Sequence, residues 1–389
     1  MISTLKRTWA EIHLDHLAWN YHKIRSHVGS EVKFLGVVKA DAYGHGSVQI
    51  SRKLEELGAD YLAVSSIDEA MELRLNEIRL PILILGYTPP AQVSRLMEYD
   101  ITQAVGDRED ALAYSREAGK LGGRLKVHIK VDTGMSRLGF FCDGDEFDHA
   151  VRSIVEVCDL PGLEAEGIFT HFAVSDEVGT GYEEYTLHQY TLFKKMIDTV
   201  EERRGKRFLL RHCSNTGAAT VYPMTYLDMV RPGLLLYGYG DHAKMLGLKP
   251  VMSLKTTVSA IKHYPAGTRI SYGGTYTTDR SARMGVVPYG YADGFYRCLS
   301  NRISLMTGYG PVPQRGRVCM DMAMIDLTDR PEVKVGDEIE IFGEANPVEE
   351  MASLAGTIPY EITCAVNKRV PRYFMEEGKV IYQELMLRM

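Results

Sequence analysis

Val32-Lys33-Phe34-Leu35-Gly36-Val37-Val38 runs straight into Lys39-Ala40-Asp41-Ala42-Tyr43-Gly44-His45-Gly46. An apolar run that ends in a glycine-bearing turn reads as a buried strand. The amphipathic pattern that follows over residues 47–57 reads as a helix. Outward from there the same unit recurs. Strands are expected at residues 33–38, 61–64, 82–85, 101–105, 127–131, 167–172, 208–212 and 228–230, with helices at 47–57, 68–75, 109–119, 146–158 and 183–203. Strand and helix in alternation imply parallel strands joined by crossover helices. Eight such strands predict a closed TIM-type (β/α)8 barrel, with an open doubly wound sheet as the alternative.

After Pro250 the pattern changes. Residues 253–264 alternate with period two, and strand-like runs follow at 284–287, 302–306, 323–326 and 337–342, with Gly and Pro between them. Strands with few helices indicate a mainly β second domain. The expected division is therefore a barrel over residues 1–245 and a β domain over 246–389. A chain of 389 residues exceeds what one hydrophobic core usually supports, which agrees with two domains. Hydrophobic content of 45% with 25% charged residues is ordinary for a globular protein. The net charge of −6, without a basic run, leaves nucleic acid no electrostatic footprint. Six scattered cysteines without a CxxC pair read as reduced thiols of a cytoplasmic protein, not as a disulfide frame or a metal site. No apolar leader and no membrane span are expected.

In a barrel, functional residues gather just past the C-terminal ends of the strands. Lys39 follows the first strand, where partial desolvation would lower its pKa and make the amine a usable base or nucleophile. Tyr43 adds a hydroxyl, and Gly44 and Gly46 are expected to let backbone amides approach a ligand. Lys130, Asp132 and the turn Gly134-Met135-Ser136-Arg137-Leu138-Gly139 follow the fifth strand, and His171 ends the sixth. Past the seventh, His212-Cys213-Ser214-Asn215-Thr216-Gly217 suits a phosphate at a helix start, and Arg231 follows the eighth. Singly, His171 reads as a core histidine, Arg231 as a surface ion pair and Asn215 as a helix cap. Together, a lysine amine, phosphate-binding amides and an arginine facing a heteroaromatic nitrogen point to pyridoxal phosphate. A guanidinium cannot accept a proton at working pH, so the ring is a weaker electron sink, which suits racemisation more than transamination.

The string VVKADAYGHG resembles the pyridoxal-phosphate lysine motif of the alanine racemases. Arg269-Ile270-Ser271-Tyr272-Gly273-Gly274 resembles that family's catalytic tyrosine motif. Val287-Pro288-Tyr289-Gly290-Tyr291-Ala292-Asp293-Gly294, Gly316-Arg317-Val318-Cys319-Met320-Asp321, Ile358-Pro359-Tyr360-Glu361 and Arg369-Val370-Pro371-Arg372 resemble further signatures, in the family's order. The resemblance spans about residue 8 to residue 375.

The resemblance implies that Lys39 holds the cofactor covalently. Tyr43, Thr216, Gly233, Leu234 and Tyr360 would take its phosphate in the stretch opened by Asn215. Arg231 would face the pyridine nitrogen, Arg137 the phenolic oxygen and the substrate, and His171 would pack beside the ring. Tyr272 would be the second base, given by the partner in a homodimer with shared sites. Met320 and Asp321 would hold the substrate carboxylate, and Tyr291 would line the entry. Lys130 matches a lysine that is carbamylated in some members. The implied activity is interconversion of L- and D-alanine, supplying D-alanine for peptidoglycan. Inverting an α-carbon needs proton removal on one face and delivery on the other, hence two opposed acid–base groups. Alternatives are a serine or broad-specificity racemase, a decarboxylase of the same fold type, a non-enzymatic pyridoxal-phosphate carrier, and a metal-dependent barrel hydrolase for which no ligand set is evident.

Overall fold

Runs of residues buried on both faces dictate the first sheet. Tyr61–Val64, Ile82–Ile84 and Ile101–Val105 are buried at every position, as parallel strands covered on both sides must be. In the computed structural model, which describes residues 7–177, 179 and 181–385, eight strands lie in the order Met229–Val230, Lys33–Val37, Tyr61–Val64, Ile82–Ile84, Ile101–Val105, Leu125–Asp132, Leu163–Phe169 and Leu210–His212. All are parallel to their neighbours. The ring closes where the Asp228 N–H donates to the Arg211 carbonyl (3.0 Å) and the Arg231 N–H to that of Ser214 (2.9 Å). Helices cover the outside, among them Ser47–Glu56, Ile67–Leu75, Arg108–Lys120, Phe147–Cys158 and Glu183–Arg204. This is the closed barrel, and the open sheet is set aside.

The second sheet has ten strands, with Met252–Thr257, Thr8–His13 and Arg372–Glu376 adjacent in its interior. Thr8–His13 departs from the division at residue 245. It pairs antiparallel with Met252–Thr257 (Thr8 opposite Thr256) and parallel with Arg372–Glu376 (Ala10 opposite Arg372). Five of its six residues are buried, as an interior strand under cover on both faces requires. Residues 8–13 thus lie in the second domain's sheet before the helix Leu14–Val28 carries the chain to the barrel. The expected single strand over 253–264 is likewise two, Met252–Thr257 and Ala260–Tyr264. Between them Val258 exchanges hydrogen bonds with Asp337 and Gly336 while Ser259 turns to Val286, so the strand changes neighbours there.

The domains meet at the end of the first barrel strand. Arg372, 3% exposed, donates to the carbonyls of Gly44, Val366, Asn367 and Val370. A Cβ on Gly44 would lie 2.2 Å from the Thr363 carbonyl oxygen, and one on Gly46 would lie 2.6 Å from the Phe374 ring. Both glycines therefore serve this contact, which corrects the expectation that they admit a ligand. Among the described residues no helix is long and apolar enough to cross a membrane.

Candidate active site

Lys39 opens a helical turn, Lys39–Gly44, that is left-handed: Ala40, Asp41, Ala42 and Tyr43 have φ between 52° and 56°. No glycine lies among these four, so each carries the Cβ–carbonyl crowding that L-residues avoid. Tertiary hydrogen bonds hold the turn. The Ala40 N–H donates to Glu69 Oε1 (2.7 Å), while Glu69 Oε2 accepts from the Ser65 N–H (2.7 Å) and hydroxyl (3.0 Å). Asp41 Oδ1 accepts from the Ser47 N–H (2.9 Å), and His45 Nδ1–H donates to the carbonyls of Ala42 and Tyr43. The turn sets Lys39 where burial, and then the charge of Arg137, lower its amine pKa. That is the poised amine expected from sequence.

Hydroxyls and amides converge beside it. The Gly233 N–H (3.2 Å) and Leu235 N–H (3.4 Å) donate to Thr216 Oγ1. The Tyr360 hydroxyl, hydrogen-bonded by the Leu234 amide and the Thr216 hydroxyl, is pushed up to about 12 by burial. The Tyr43 ring lies tilted at 43° against that of Tyr360, centroids 5.3 Å apart, and a Cβ on Gly233 would fall 2.8 Å from the Tyr43 hydroxyl. Only glycine fits there, and it leaves three hydroxyls and adjacent amides facing one spot, a donor set that fits a phosphate. Asn215 Oδ1 is occupied by the Ala218 N–H (3.1 Å) and the Ser175 hydroxyl (2.6 Å). Its role is the helix cap.

Arg231 is buried, and burial lowers it to about 10, still a cation at neutral pH. Its Nη2 donates to the carbonyls of Thr170 (2.8 Å) and Cys213 (3.1 Å) and reaches His171 Nδ1 (3.4 Å); Nη1 donates to His212 Nδ1 (3.0 Å). His171 is pushed down to about 3 by burial and the charges of Arg231 and Arg137, so it is neutral. Asp132 builds the turn that carries Arg137, accepting from the N–H groups of Gly134, Ser136 and Arg137. Lys130 is 7% exposed and falls to about 8 through burial, Arg137 and Arg231. Among the described residues no carboxylate lies within ion-pair distance of its amine.

The remaining predicted residues form a separate group on the second domain. Tyr272 is 69% exposed beside a cleft of about 460 Å³ lined by Lys262, Arg269, Ser271 and Cys319. Met320 and Tyr291 are also exposed, and the Tyr291 and Ala292 N–H groups donate to the carbonyls of Cys319 and Met320. Arg369 ties Asp321 (2.8 Å) to fully buried Asp293 (2.7 Å), which also pairs with Arg7. Among the described residues no hydrogen bond or ion pair joins this group to Lys39.

Sequence reasoning left out Glu69, His128 and Glu166, and named His212 only as part of a polar stretch. For His128 a signal existed: it shares strand parity with Lys130 and Asp132, so all three point to one face.

Residues 12–241 match the family model described as "Alanine racemase, N-terminal domain", and residues 251–374 match "Alanine racemase, C-terminal domain". "Alanine racemase 2" of Caldanaerobacter subterraneus subsp. tengcongensis is 43% identical over 391 residues, covering 98% of each chain. The solved structure of the alanine racemase of Clostridium difficile 630 superposes with a TM-score of 0.93 at 38% identity, covering 99% of this chain and 100% of that one. A Bartonella henselae alanine racemase structure with covalently bound pyridoxal phosphate has a TM-score of 0.85 at 26% identity, over 95% of this chain and 100% of the other.

Proposed function

The chain belongs to the alanine racemase family and is an isomerase acting on alanine; on that premise we propose that Lys39 and Tyr272 are its two acid–base groups and that pyridoxal phosphate is its cofactor. When bound, pyridoxal phosphate supplies a sink for the electron pair left at the substrate α-carbon. Lys39 would hold the cofactor covalently, while Tyr43, Thr216, Gly233, Leu234 and Tyr360 would hold its phosphate and Arg137 its phenolic oxygen. Arg231 would lie at the ring nitrogen, and a guanidinium has no lone pair to accept a proton there, so the group would supply a weaker electron sink. His171 stays neutral beside it.

The observation that carries this reading is the Lys39 amine, lowered in pKa by burial and Arg137, beside a convergent set of phosphate donors. Lys39 Nζ moves the α-proton on one face of the substrate and the Tyr272 hydroxyl moves it on the other. Since Tyr272 is exposed and no hydrogen bond or ion pair among the described residues ties it to Lys39, it serves the site of a second copy in a homodimer. There the main-chain N–H groups of Met320 and Asp321 hold the substrate carboxylate and Tyr291 lines the entry. Lys130 is carbamylated: a neutral amine adds carbon dioxide and releases a proton, and the new carboxylate orients Arg137. The D-alanine formed serves peptidoglycan synthesis in the cytoplasm.

The test offers L-alanine, L-serine and L-lysine separately in deuterated buffer with added pyridoxal phosphate. Rapid α-proton exchange with formation of D-alanine, and slow turnover of the other two, is expected. No exchange with any of them refutes the acid–base assignment, and preference for serine or lysine moves the substrate.

A further inference from the structure

Two histidines with no exposed surface link the Arg231 side of the barrel to Glu166. His128 lies on the strand Leu125–Asp132 and His212 on Leu210–His212. Both are built in. A Cβ on Gly167 would fall 2.8 Å from the His128 ring, so glycine leaves that ring its room. Phe169 stacks face to face on His212, with centroids 4.9 Å apart and planes 1° from parallel.

Hydrogen-bond direction follows from chemistry. Arg231 Nη1 is 3.0 Å from His212 Nδ1, and a guanidinium has no lone pair to accept with. His212 Nδ1 is therefore the acceptor, and its ring proton sits on Nε2. Burial and the charge of Arg231 hold the His212 pKa well below 6.5, so the ring has one proton and not two. His212 Nε2–H then donates to His128 Nδ1 at 2.9 Å, which places the His128 proton on Nε2. That N–H faces Glu166 Oε2 at 3.5 Å, close enough for electrostatic attraction and too long for a hydrogen bond, and among the described residues the nitrogen has no hydrogen-bond partner. The same carboxylate oxygen accepts from the Tyr61 hydroxyl at 3.0 Å. Burial pushes the Glu166 carboxyl up, yet His128 and Tyr61 together hold it below the usual range.

We propose that Glu166 is a positioning residue for the racemase reaction, fixing the tautomers of His128 and His212 and through them the tilt of the Arg231 guanidinium. Arg231 is held twice. Its Nη2 is pinned to backbone carbonyls, which do not change protonation state, whereas its Nη1 depends on a ring nitrogen whose lone pair exists in one tautomer only. Without the Glu166 carboxylate no negative charge faces the buried His128 Nε2–H, which favours the other tautomer. In that tautomer His128 Nδ1–H would meet His212 Nε2–H head on, so His212 takes its proton on Nδ1 and accepts from His128 at Nε2, and Nη1 loses its acceptor. The proposal rests on the reading that Arg231 meets the cofactor ring.

Glu166→Leu removes the carboxylate, and Glu166→Gln keeps a carbonyl oxygen for His128 should the leucine variant fold poorly. Protein labelled with ¹⁵N-histidine and loaded with pyridoxal phosphate is measured by solid-state NMR, with resonances assigned through His128→Gln. In the parent both rings are expected to carry the proton on Nε2. In Glu166→Leu both ring protons move to Nδ1, the absorption maximum of the bound cofactor shifts, and kcat falls about tenfold with KM little changed. Glu166→Gln keeps the parent spectrum. A parent His212 protonated on Nδ1, or an unchanged ¹⁵N spectrum in Glu166→Leu, overturns the relay. A changed ¹⁵N spectrum with unaltered absorption and turnover overturns the positioning of Arg231. Absence of racemisation in the parent, with the ¹⁵N pattern as expected, fails the acid–base assignment and leaves the relay standing.

Discussion

Glu69→Ala should damage the enzyme through backbone strain, although Glu69 is neither acid nor base. Four consecutive non-glycine residues, Ala40 to Tyr43, sit in the left-handed region. At about 1–2 kcal/mol each they store about 4–8 kcal/mol. Glu69 opposes part of this by accepting from the Ala40 and Ser65 N–H groups, both at 2.7 Å. Hydrogen bonds to a charged group contribute about 1.5–3 kcal/mol when shielded, and for this half-exposed carboxylate roughly 1 kcal/mol each is the working value. Losing both removes about 2 kcal/mol, comparable to the strain at one or two residues. Ala40 should relax towards negative φ and carry Lys39 with it. A displacement of about 1 Å costs on the order of 100-fold in kcat/KM. The assay couples D-alanine formation to its oxidation, alongside thermal unfolding of the same preparations. Adding Ala40→Gly to Glu69→Ala supplies the one residue that adopts this φ freely, and should recover about tenfold of the rate. The reasoning is refuted if Glu69→Ala stays within threefold of the parent, or if Ala40→Gly restores melting temperature but no activity.

Three further outcomes are expected. Tyr272→Phe should lower racemisation by at least about 100-fold while the cofactor stays bound and slow one-face α-proton exchange persists, as read by NMR in deuterated buffer; equal loss of exchange from both antipodes contradicts the two-base assignment. With a pKa of about 8, Lys130 is about one-tenth neutral at pH 7 and about half neutral at pH 8, so carboxyl uptake from dissolved carbon dioxide should rise over that interval and vanish in Lys130→Met by intact-protein mass spectrometry. His45 is fully buried and pushed down to about 3 by burial, with its Nε2 3.1 Å from the Tyr239 hydroxyl. The unfolded chain takes up that proton near pH 6.5 and the folded chain does not, so stability should fall as pH drops from about 6.5 towards 3, by roughly 1.4 kcal/mol per unit. Urea titrations of His45→Gln should show a shallower pH slope than the parent, and an equal slope denies His45 this role.

The barrel was legible because its signal is local. Continuous apolar runs such as Ile101–Val105, spaced by amphipathic helices, state the architecture without reference to distant partners. The strand Thr8–His13 was not legible, since its partners lie beyond residue 250 and its near-total burial removes the alternation that marks a strand. Lys39 stood out by type and position, and Arg231 and His171 by falling at strand ends. The left-handed turn could not be read: Ala-Asp-Ala carries no glycine, and local propensity opposes the conformation that Glu69, Asp41 and His45 impose. Glu166 looked like any polar residue entering a strand, because its meaning depends on two rings from other strands.

The placement of Thr8–His13 bears on how the chain leaves the ribosome. This strand is made before the barrel, yet its antiparallel neighbour begins at Met252 and its parallel one at Arg372. At about 5–20 residues per second it waits roughly 12–50 s for the first of them, while the whole barrel is synthesised beside it. Nor can the second domain be transplanted as a cassette cut at residue 245. Such a fragment would expose two interior strand edges where Thr8–His13 belongs, an open invitation to intermolecular pairing. A gene fusion or permutation that respects the architecture must keep the opening segment with the closing half of the chain.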